Sequence, residues 1–276
     1  MKVNFTKMQG IGNDFVVIDS VTTSVTLTTA QIQHIANRFF GVGCDQLLMV
    51  EISDTANVDF RYRIFNADGG EVEHCGNGAR CFVRFVVDKG LTKKHQITVE
   101  TASGILILKL QPNGDVVVDM GSPNFEPDSL PFLAAQRQPQ YTLRLTDGVI
   151  PISAVSMGNP HAVVLVDNVQ TAAVSKLGPQ IESHSQFPQH VNAGFMQVVN
   201  SHEINLRVYE RGSGETLACG TGACAAAVSG IQLNLLQSPV LVNMRGGQLQ
   251  IEWAGETQSV MMAGPAEIVF EGQIEL

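Results

Sequence analysis

One short pattern occurs twice in this chain and constrains its fold more than any other feature. Residues 63–79 read RIFNADGGEVEHCGNGA, and residues 207–223 read RVYERGSGETLACGTGA. The two segments align without a gap at a constant offset (219 − 75 = 144), and each has a cysteine directly before a Gly-x-Gly turn. Because self-similarity at a fixed offset indicates a repeated structural unit, the sequence predicts two pseudo-symmetric halves. Each half contributes one thiol, Cys75 or Cys219, to a site with an acid/base on either face of a substrate.

Composition excludes several classes of function. The net charge of −9 and pI near 5.2 argue against a nucleic-acid partner, which requires a basic face. No apolar stretch of ~18 residues occurs, so no membrane span is expected, and the first residues lack the apolar core of a signal peptide. The five cysteines include no Cys-x-x-Cys pair, which argues against a zinc site and favours free thiols in a cytoplasmic protein.

Alternating apolar residues predict mostly β-structure. The candidate half-buried strands are residues 97–99, 105–110, 116–120, 163–166, 204–208 and 249–253. Asn113-Gly114 predicts a type I′ hairpin, in which both central residues have positive φ. The proline-rich stretch 122–139 is the candidate linker between the halves. We therefore expect an N-terminal domain of residues 1–121 plus 265–276 and a C-terminal domain of residues 122–264.

Two helices are predicted, one directly after each repeated cysteine. In the first, Ala79, Phe82, Val83 and Val86 fall on one face, and Gly90 suits the C-terminal cap. The second, from residue 223 to 228, is apolar on every side and is therefore expected to be buried. The expected fold class is α+β: two pseudo-symmetric domains, each a curved antiparallel sheet or barrel around a central helix, with both helix N-termini facing one cleft.

A thiol at a helix N-terminus lies beside unpaired backbone N–H groups and the positive end of the helix dipole, which lowers its pKa from ~8.5. A carboxylate could bind both helix N-termini at once. If its α-carbon lay between the thiols, one thiolate could remove the α-proton while the other thiol protonates the opposite face. This chemistry requires no cofactor and no metal.

Simpler readings exist for the same residues. A single Cys-Gly-x-Gly turn is more often structural than catalytic, and Cys81 and Cys224 are most simply core residues. Gly220-x-Gly222-x-x-Ala225 matches the loose dinucleotide fingerprint, but no apolar strand directly precedes it.

The motifs together resemble those of the diaminopimelate epimerase family. The residues that carry the resemblance are 7–15 (KMQGIGNDF), 66–69 (NADG), 75–81 (CGNGARC), 158–161 (GNPH), 210–212 (ERG) and 218–223 (ACGTGA), in the family's order over nearly the whole chain. The resemblance implies cofactor-independent interconversion of LL- and meso-diaminopimelate, in lysine and peptidoglycan precursor biosynthesis, by a two-domain homodimer.

The resemblance also implies roles for individual residues. Cys75 would deprotonate the LL substrate and Cys219 would reprotonate the opposite face, with His161 and Glu210 setting the electrostatics near the thiols. Arg211 and Glu210 would bind the distal carboxylate and ammonium. The remaining implied substrate contacts are Asn13, Gln46, Asn66, Gly76, Asn77, Asn159, Asn192, Gly220 and Thr221. Phe270 stands where relatives commonly have a dimer-contact tyrosine, and Cys44 lies outside the motifs.

Three alternatives remain open at this stage. A proline or hydroxyproline racemase-like enzyme would share the fold and the two thiols, but its substrate gives Arg211, Glu210 and Asn192 no second amino-acid group to bind. A thiol redox sensor would pair Cys75 with Cys219 reversibly. A non-catalytic amino-acid binding module would leave the paired thiols unexplained.

Overall fold

A computed structural model describes residues 1–72, 76–146 and 148–276. The chain divides into two compact units: unit 1 comprises Met1–Asp119 and Ala263–Leu276, and unit 2 comprises Met120–Met262. The sequence-based boundaries lie two residues further along the chain at both junctions. Unit 1 thus contains both the first and the last strand.

Unit 1 contains two helices and nine strands within the described residues. In chain order they are β1 (Lys2–Gly10), β2 (Asn13–Asp19), α1 (Thr29–Ala36), β3 (Gln46–Glu51), β4 (Phe60–Asn66), β5 (Glu71–Val72), α2 (Gly76–Asp88), β6 (Gln96–Thr101), β7 (Gly104–Leu110), β8 (Val116–Asp119) and, after unit 2, β18 (Glu267–Glu275).

Unit 2 repeats this order. Its elements are β9 (Tyr141–Leu145), β10 (Gly148–Ser156), β11 (Pro160–Leu165), α3 (Val174–Glu182), β12 (Asn192–Asn200), β13 (Glu203–Glu210), β14 (Gly214–Glu215), α4 (Gly220–Gln232), β15 (Val240–Met244), β16 (Gly247–Glu252) and β17 (Met261–Gly264), whose last residues extend into unit 1.

The strand pairing is the same in both units. In unit 1, β18–β1–β2 and β3–β4–β5 are antiparallel, whereas β2–β3 and β4–β6 are parallel. Unit 2 has the same pattern in β9–β10–β11, β11–β12, β12–β13–β14 and β13–β15. This repetition and the helix content confirm the α+β, pseudo-symmetric fold class. We predicted an antiparallel sheet in each half, and the parallel pairs differ from that prediction. In each of these pairs a crossover that contains a helix connects the two strands, which makes them parallel.

A central helix packs against the strands of each unit. Helix α2 contacts β1, β2, β3, β7, β8 and β18, and α4 contacts β10, β11, β12, β13, β15 and β16. The four apolar residues predicted to share one face of α2 are all buried, and Gly90 has a φ of 69° just after its end. Helix α4 is buried from Gly222 to Gly230, so it needs no polar face. Both helix predictions are confirmed.

A matched ion pair fixes the short hairpin that precedes each central helix. Arg63 on β4 makes two hydrogen bonds to Glu71 on β5, at 2.9 and 2.7 Å, and Arg207 on β13 makes two to Glu215 on β14, at 2.7 and 3.0 Å. Both pairs follow the offset of the sequence repeat (207 − 63 = 144; 215 − 71 = 144). Such forked contacts set geometry as well as adding stability. The repeat therefore preserves the geometry of the hairpin that leads into each central helix.

Two local predictions need correction. The 111–115 hairpin forms, but only Gly114 has positive φ, because the Gly114 N–H bonds to the Gln111 carbonyl in a longer loop than type I′. The stretch 122–139 is more than a linker: it belongs to unit 2 and buries Leu130 and Phe132 in that unit's core. Among the described helices, none has the length and apolar character of a membrane span.

Candidate active site

Cys219 lies at the N-terminal end of the buried helix of unit 2. It is the N-cap residue of α4, with an extended backbone, and its carbonyl accepts the Ala223 N–H at 2.9 Å. Its Sγ lies 3.6 Å from the Thr221 hydroxyl oxygen. A Cβ on Gly222 would come within 3.3 Å of that Sγ and 3.1 Å of Val208, so only glycine fits there without displacing a neighbour.

The environment of Cys219 raises its pKa well above the usual thiol value, which overturns our expectation of a lowered pKa. Burial is the main cause, and the neighbouring negative charge of Glu210 adds to it. The hydrogen bonds from Thr221 and from the Gly222 backbone oppose this shift but do not offset it. Cys219 is therefore a protonated thiol at neutral pH, and a group in this state can donate a proton.

Asn159 joins the helix N-terminus to a buried imidazole. Its Nδ2 donates to the Thr221 hydroxyl at 3.3 Å, and its Oδ1 lies 2.9 Å from His161 Nε2. Because an amide oxygen only accepts, this contact assigns the proton of the neutral imidazole to Nε2. Burial, together with the nearby charge of Arg211, lowers the pKa of His161 from 6.5 to about 3. His161 is neutral and orients Asn159.

Glu210, Arg211 and Asn192 form a second group in unit 2. The Thr216 hydroxyl donates to Glu210 Oε1 at 2.5 Å, and the Arg211 backbone N–H donates to Asn192 Oδ1 at 2.9 Å. Asn192 is 4% exposed and also donates to the Pro160 carbonyl, so its amide is fixed. The Arg211 side chain is exposed, with one bond to the Gln189 carbonyl. A guanidinium in this position can bind a carboxylate through both of its arms.

Unit 1 brings its expected substrate residues together in two pairs. Asn77, in the first turn of α2, donates from Nδ2 to Asn13 Oδ1 at 3.2 Å, and Gln46 Nε2 donates to Asn66 Oδ1 at 2.9 Å. Gly76 begins α2, as Gly220 begins α4. Cys75 lies outside the described residues. Phe270, our expected dimer contact, is on β18, 47% exposed, with its ring edge-to-face against Phe5 at 5.9 Å.

The site residues occupy matched positions in the two units. Phe15 on β2 and His161 on β11 occupy matched positions. Their partners on the neighbouring parallel strands, Gln46 and Asn192, are therefore matched as well. Leu47 pairs with Phe65 as Ala193 pairs with Tyr209, which aligns the next residues along β4 and β13, Asn66 and Glu210. The remaining matched pairs are Asn13 with Asn159, Gly76 with Gly220, and Asn77 with Thr221.

Sequence reasoning missed Thr216, which holds Glu210. The repeat itself contains the signal, since Glu71-Val72 in the first copy becomes Glu215-Thr216 in the second. The second copy thus gains a hydroxyl at Thr216, and it also gains a carboxylate at Glu210, where the first copy has Asn66. A hydroxyl donor and a carboxylate acceptor gained together indicate a new hydrogen bond. Among residues 1–72, 76–146 and 148–276, no group of three His, Cys, Asp or Glu side chains is placed to hold a metal ion.

Solved structures share this fold at low sequence identity. A PhzF-family phenazine biosynthesis protein from Bacillus anthracis superposes with a TM-score of 0.72 at 18% identity, covering all of both chains. A hydroxyproline epimerase from Agrobacterium vitis superposes with a TM-score of 0.69 at 14% identity, covering 99% of this chain and 92% of the other. At these identities the likeness concerns the fold alone.

Sequence relatives are much closer. The diaminopimelate epimerase of Nitrosospira multiformis is 59% identical over all of this chain and 99% of its own length. That of an Azoarcus species is 60% identical over the full length of both chains. A sequence model of the family described as diaminopimelate epimerase matches residues 5–126 and 153–269. The chain belongs to the diaminopimelate epimerase family.

Proposed function

We propose that this chain interconverts LL- and meso-2,6-diaminopimelate by a two-thiol mechanism, with Cys75 and Cys219 as the acid/base pair. Family membership makes it an isomerase of lysine biosynthesis. The observation that supports the mechanism best is the state of Cys219, a buried thiol at a helix N-terminus that keeps its proton. In the LL-to-meso direction Cys75 removes the α-proton as a thiolate, and Cys219 delivers its proton to the opposite face of the same carbon.

Glu210 is assigned to the ammonium on the reacting carbon. The family resemblance implies a contact with the distal ammonium instead, but the charge of Glu210 raises the pKa of Cys219, so the two side chains are neighbours. An ammonium bound to Glu210 offsets this negative charge, which lowers the pKa of the thiol as the substrate binds. The proton of Cys219 is then easier to transfer in the bound state than in the free protein. Thr216 keeps the carboxylate of Glu210 in place for this contact.

The carboxylate on the reacting carbon is assigned to the N-terminal turns of α2 and α4. Gly76, Asn77, Gly220 and Thr221 supply backbone N–H groups that no helical carbonyl accepts. Negative charge develops on this carboxylate when the α-proton leaves, and donors already aimed at it stabilise the carbanion. No cofactor is needed to delocalise that charge.

The distal amino-acid group is assigned to Arg211 and the neutral amides. The exposed guanidinium suits the distal carboxylate, and the amides of Asn13, Gln46, Asn66, Asn159 and Asn192 supply polar contacts on both units. A substrate without a second amino-acid group leaves Arg211 unused, which favours diaminopimelate over proline as the substrate.

Proton NMR of LL-diaminopimelate with the reduced protein in D₂O tests the proposal. We expect deuterium to enter the α-position while the meso isomer appears. L-proline and trans-4-hydroxy-L-proline serve as controls and should remain unlabelled. Exchange confined to a control would assign the chain a different substrate, and no exchange on any of the three would overturn the isomerase activity itself.

We also propose that the protein is a cytoplasmic homodimer that uses strand β18. Ile268, Val269 and Phe270 are consecutive on this strand and are 38%, 56% and 47% exposed, which is unusual for three large apolar side chains in a row. A second copy packed against this part of β18 would cover them. Light scattering after gel filtration should give the dimer mass, and Phe270→Asp should shift it toward the monomer, whereas Phe270→Tyr should not. A monomeric wild-type protein would contradict the assignment.

A further inference from the structure

Asp45 contacts one of the proposed substrate residues without belonging to that set. Asn13 Nδ2 donates to Asp45 Oδ2 at 3.0 Å, while Asn13 Oδ1 accepts from Asn77 Nδ2 at 3.2 Å. The same Asp45 oxygen accepts the Asp14 backbone N–H at 3.1 Å. A carboxylate only accepts hydrogen bonds, so it determines which end of the Asn13 amide faces it. The nitrogen of Asn13 points to Asp45 and the oxygen points to α2.

A cluster of charges fixes Asp45 in turn. Arg38 Nη2 donates to Asp45 Oδ1 and to Asp14 Oδ1, both at 2.7 Å, and Arg38 Nη1 donates to Asp14 Oδ2 at 3.0 Å. Lys7, which is 8% exposed, donates to Asp14 Oδ2 at 2.5 Å. Although burial raises the pKa of Asp14, hydrogen bonds from Arg38 and Lys7 hold it well below its usual range. Asp14 is therefore ionised at neutral pH, and the shared Arg38 links Asp45 to Asp14 and, through it, to the buried Lys7.

Unit 2 orients the matched amide by a different partner. There Asn159 contacts His161, whose counterpart in unit 1 is the buried Phe15. The counterpart of Asp45 is Val191, which directly precedes β12 as Asp45 precedes β3. Each unit therefore has one polar residue beside its asparagine and an apolar residue at the alternative position.

Asp45 and His161 orient the two matched asparagine amides in opposite directions. Asp45 attracts the amide nitrogen of Asn13, whereas the Nε2–H of His161 attracts the amide oxygen of Asn159. The contacts with the helix residues are reversed in the same way: Asn77 donates to Asn13, but Thr221 accepts from Asn159. Two asparagines at matched positions thus present reversed amides.

We propose that Asp45, held by Arg38 and Asp14, is a positioning residue that sets the orientation of the Asn13 amide and so directs an N–H of that amide toward a substrate carboxylate. This rests on the proposed role of Asn13 in binding the substrate. Asp45 itself acts only through Asn13, because its oxygens are engaged by Asn13, Arg38 and the Asp14 backbone.

Kinetics of Asp45→Asn test the proposal. The new amide can present either its nitrogen or its oxygen, so Asn13 loses its fixed orientation. We expect KM for LL-diaminopimelate to rise about tenfold, as for a lost hydrogen bond to a charged group, with kcat within about twofold. In an Asn13→Ala background, Asp45→Asn should change KM by less than about twofold, because residues acting through one contact are not additive. Additive effects in the double variant would overturn the proposal.

Asp59→Asn is the matched control. Asp59 accepts from Lys94 and from the Thr98 backbone N–H, and it lies just before β4, at the end opposite Asn66. It is an ion-paired carboxylate of the same unit that also receives a backbone N–H. We expect Asp59→Asn to leave KM unchanged. An equal rise in KM for both variants would show a general effect of lost charge on unit 1 and would contradict a positioning role.

A second measurement does not depend on turnover. In a ¹⁵N-labelled protein, the carboxamide signals of Asn13 are identified by their loss in Asn13→Ala. The proton that is bonded to Asp45 should resonate downfield in the wild type and move upfield in Asp45→Asn. An unchanged signal would overturn the proposal even in an active enzyme. If the wild type failed to exchange the α-proton of diaminopimelate, the proposed function would fail, whereas the NMR result would still decide the role of Asp45.

Discussion

Units 1 and 2 have the same strand pairing, the same central helix and the same hairpin ion pair, yet their side chains differ at two matched strand positions. Unit 1 has the neutral Asn66, where unit 2 has Glu210. Unit 1 has Phe15 where unit 2 has His161. The shared backbone therefore has different side chains at these two positions: a carboxylate and an imidazole in unit 2, an amide and a phenyl ring in unit 1.

Removing the thiols tests how far the symmetry extends into the chemistry. Cys75→Ala and Cys219→Ala should each lower epimerisation by about 10³-fold or more, because each removes one of two required acid/base groups. Coupled assays of meso-diaminopimelate formation measure the loss. Cys224→Ala, at a fully buried position of α4 outside the site, should retain most activity. Substantial turnover by either site variant would show that one thiol suffices.

Glu210→Asn gives unit 2 the residue of unit 1. We expect kcat/KM to fall about 10²-fold, the order of a lost charged contact in a buried site. Since the charge of Glu210 raises the pKa of Cys219, the variant should also alkylate at Cys219 at lower pH than the wild type. Iodoacetamide labelling across pH, followed by peptide mass spectrometry, measures this shift. Glu252→Asn, at an exposed end of β16, is the control. An unshifted labelling profile would separate Glu210 from the thiol.

His161→Phe likewise gives unit 2 the residue that unit 1 has at the matched position, Phe15. The Asn159 contact is lost, so kcat/KM should fall about tenfold. The pKa of His161 is near 3 in the folded protein and ordinary when unfolded, so the unfolded state binds the extra proton below pH 6.5. Stability from this residue is thus complete above pH 6.5 and is lost as the pH falls toward 3, by about 2 kcal/mol at pH 5.

Urea unfolding at pH 7 and pH 5 tests the linkage. The wild type should lose more free energy of unfolding between these pH values than His161→Phe does, and the difference should be about 2 kcal/mol. His202→Gln is the control, because it removes a histidine that lies at an exposed turn rather than in the core. Equal pH dependence in the wild type and His161→Phe would mean that His161 is protonated in the folded state.

Thr216→Val makes the smallest expected change and again copies unit 1, where Val72 occupies the matched position. The side chain of Glu210 is unchanged but loses one hydrogen bond of 2.5 Å. We expect KM to rise about threefold to tenfold, the range for one lost hydrogen bond. Thr142→Val, on the exposed face of β9, should have no effect on KM. If both variants behaved like the wild type, Glu210 would not depend on Thr216 for its position.

Local patterns predicted much of this fold. Period-two alternation identified strands such as β7 and β16, and the apolar face of α2 followed from its four residues at helical spacing. The parallel pairs β2–β3 and β11–β12 were not predicted, because they depend on which strand a crossover helix returns beside. Residue spacing alone does not determine that choice. The proline-rich stretch was misread because its prolines are typical of a loop, although Leu130 and Phe132 on either side of Pro131 are buried.

The sequence predicted the site better by motif than by electrostatics. The repeat pointed to Cys219, Gly220 and Thr221 at the start of α4, and the structure adds a hydrogen bond from Asn159 to Thr221 that we did not predict. The raised pKa of Cys219 could not be inferred, because the helix dipole favours the thiolate while burial and Glu210 oppose it. Which effect is larger depends on depth and distance. Asp45 was missed for a similar reason, since it follows a loop that only folding brings to Asn13.

The return of β18 to β1 determines when each unit can be completed during synthesis. Lys2 pairs with Glu275, and the Leu276 N–H reaches the Met1 carbonyl at 2.7 Å. Unit 2 is one continuous segment, so all of its residues are synthesised before β18. Unit 1 must hold β1 with an open edge through the translation of 143 further residues (262 − 119 = 143). The half with the proposed charged machinery can therefore fold first, and the half with both chain ends closes last.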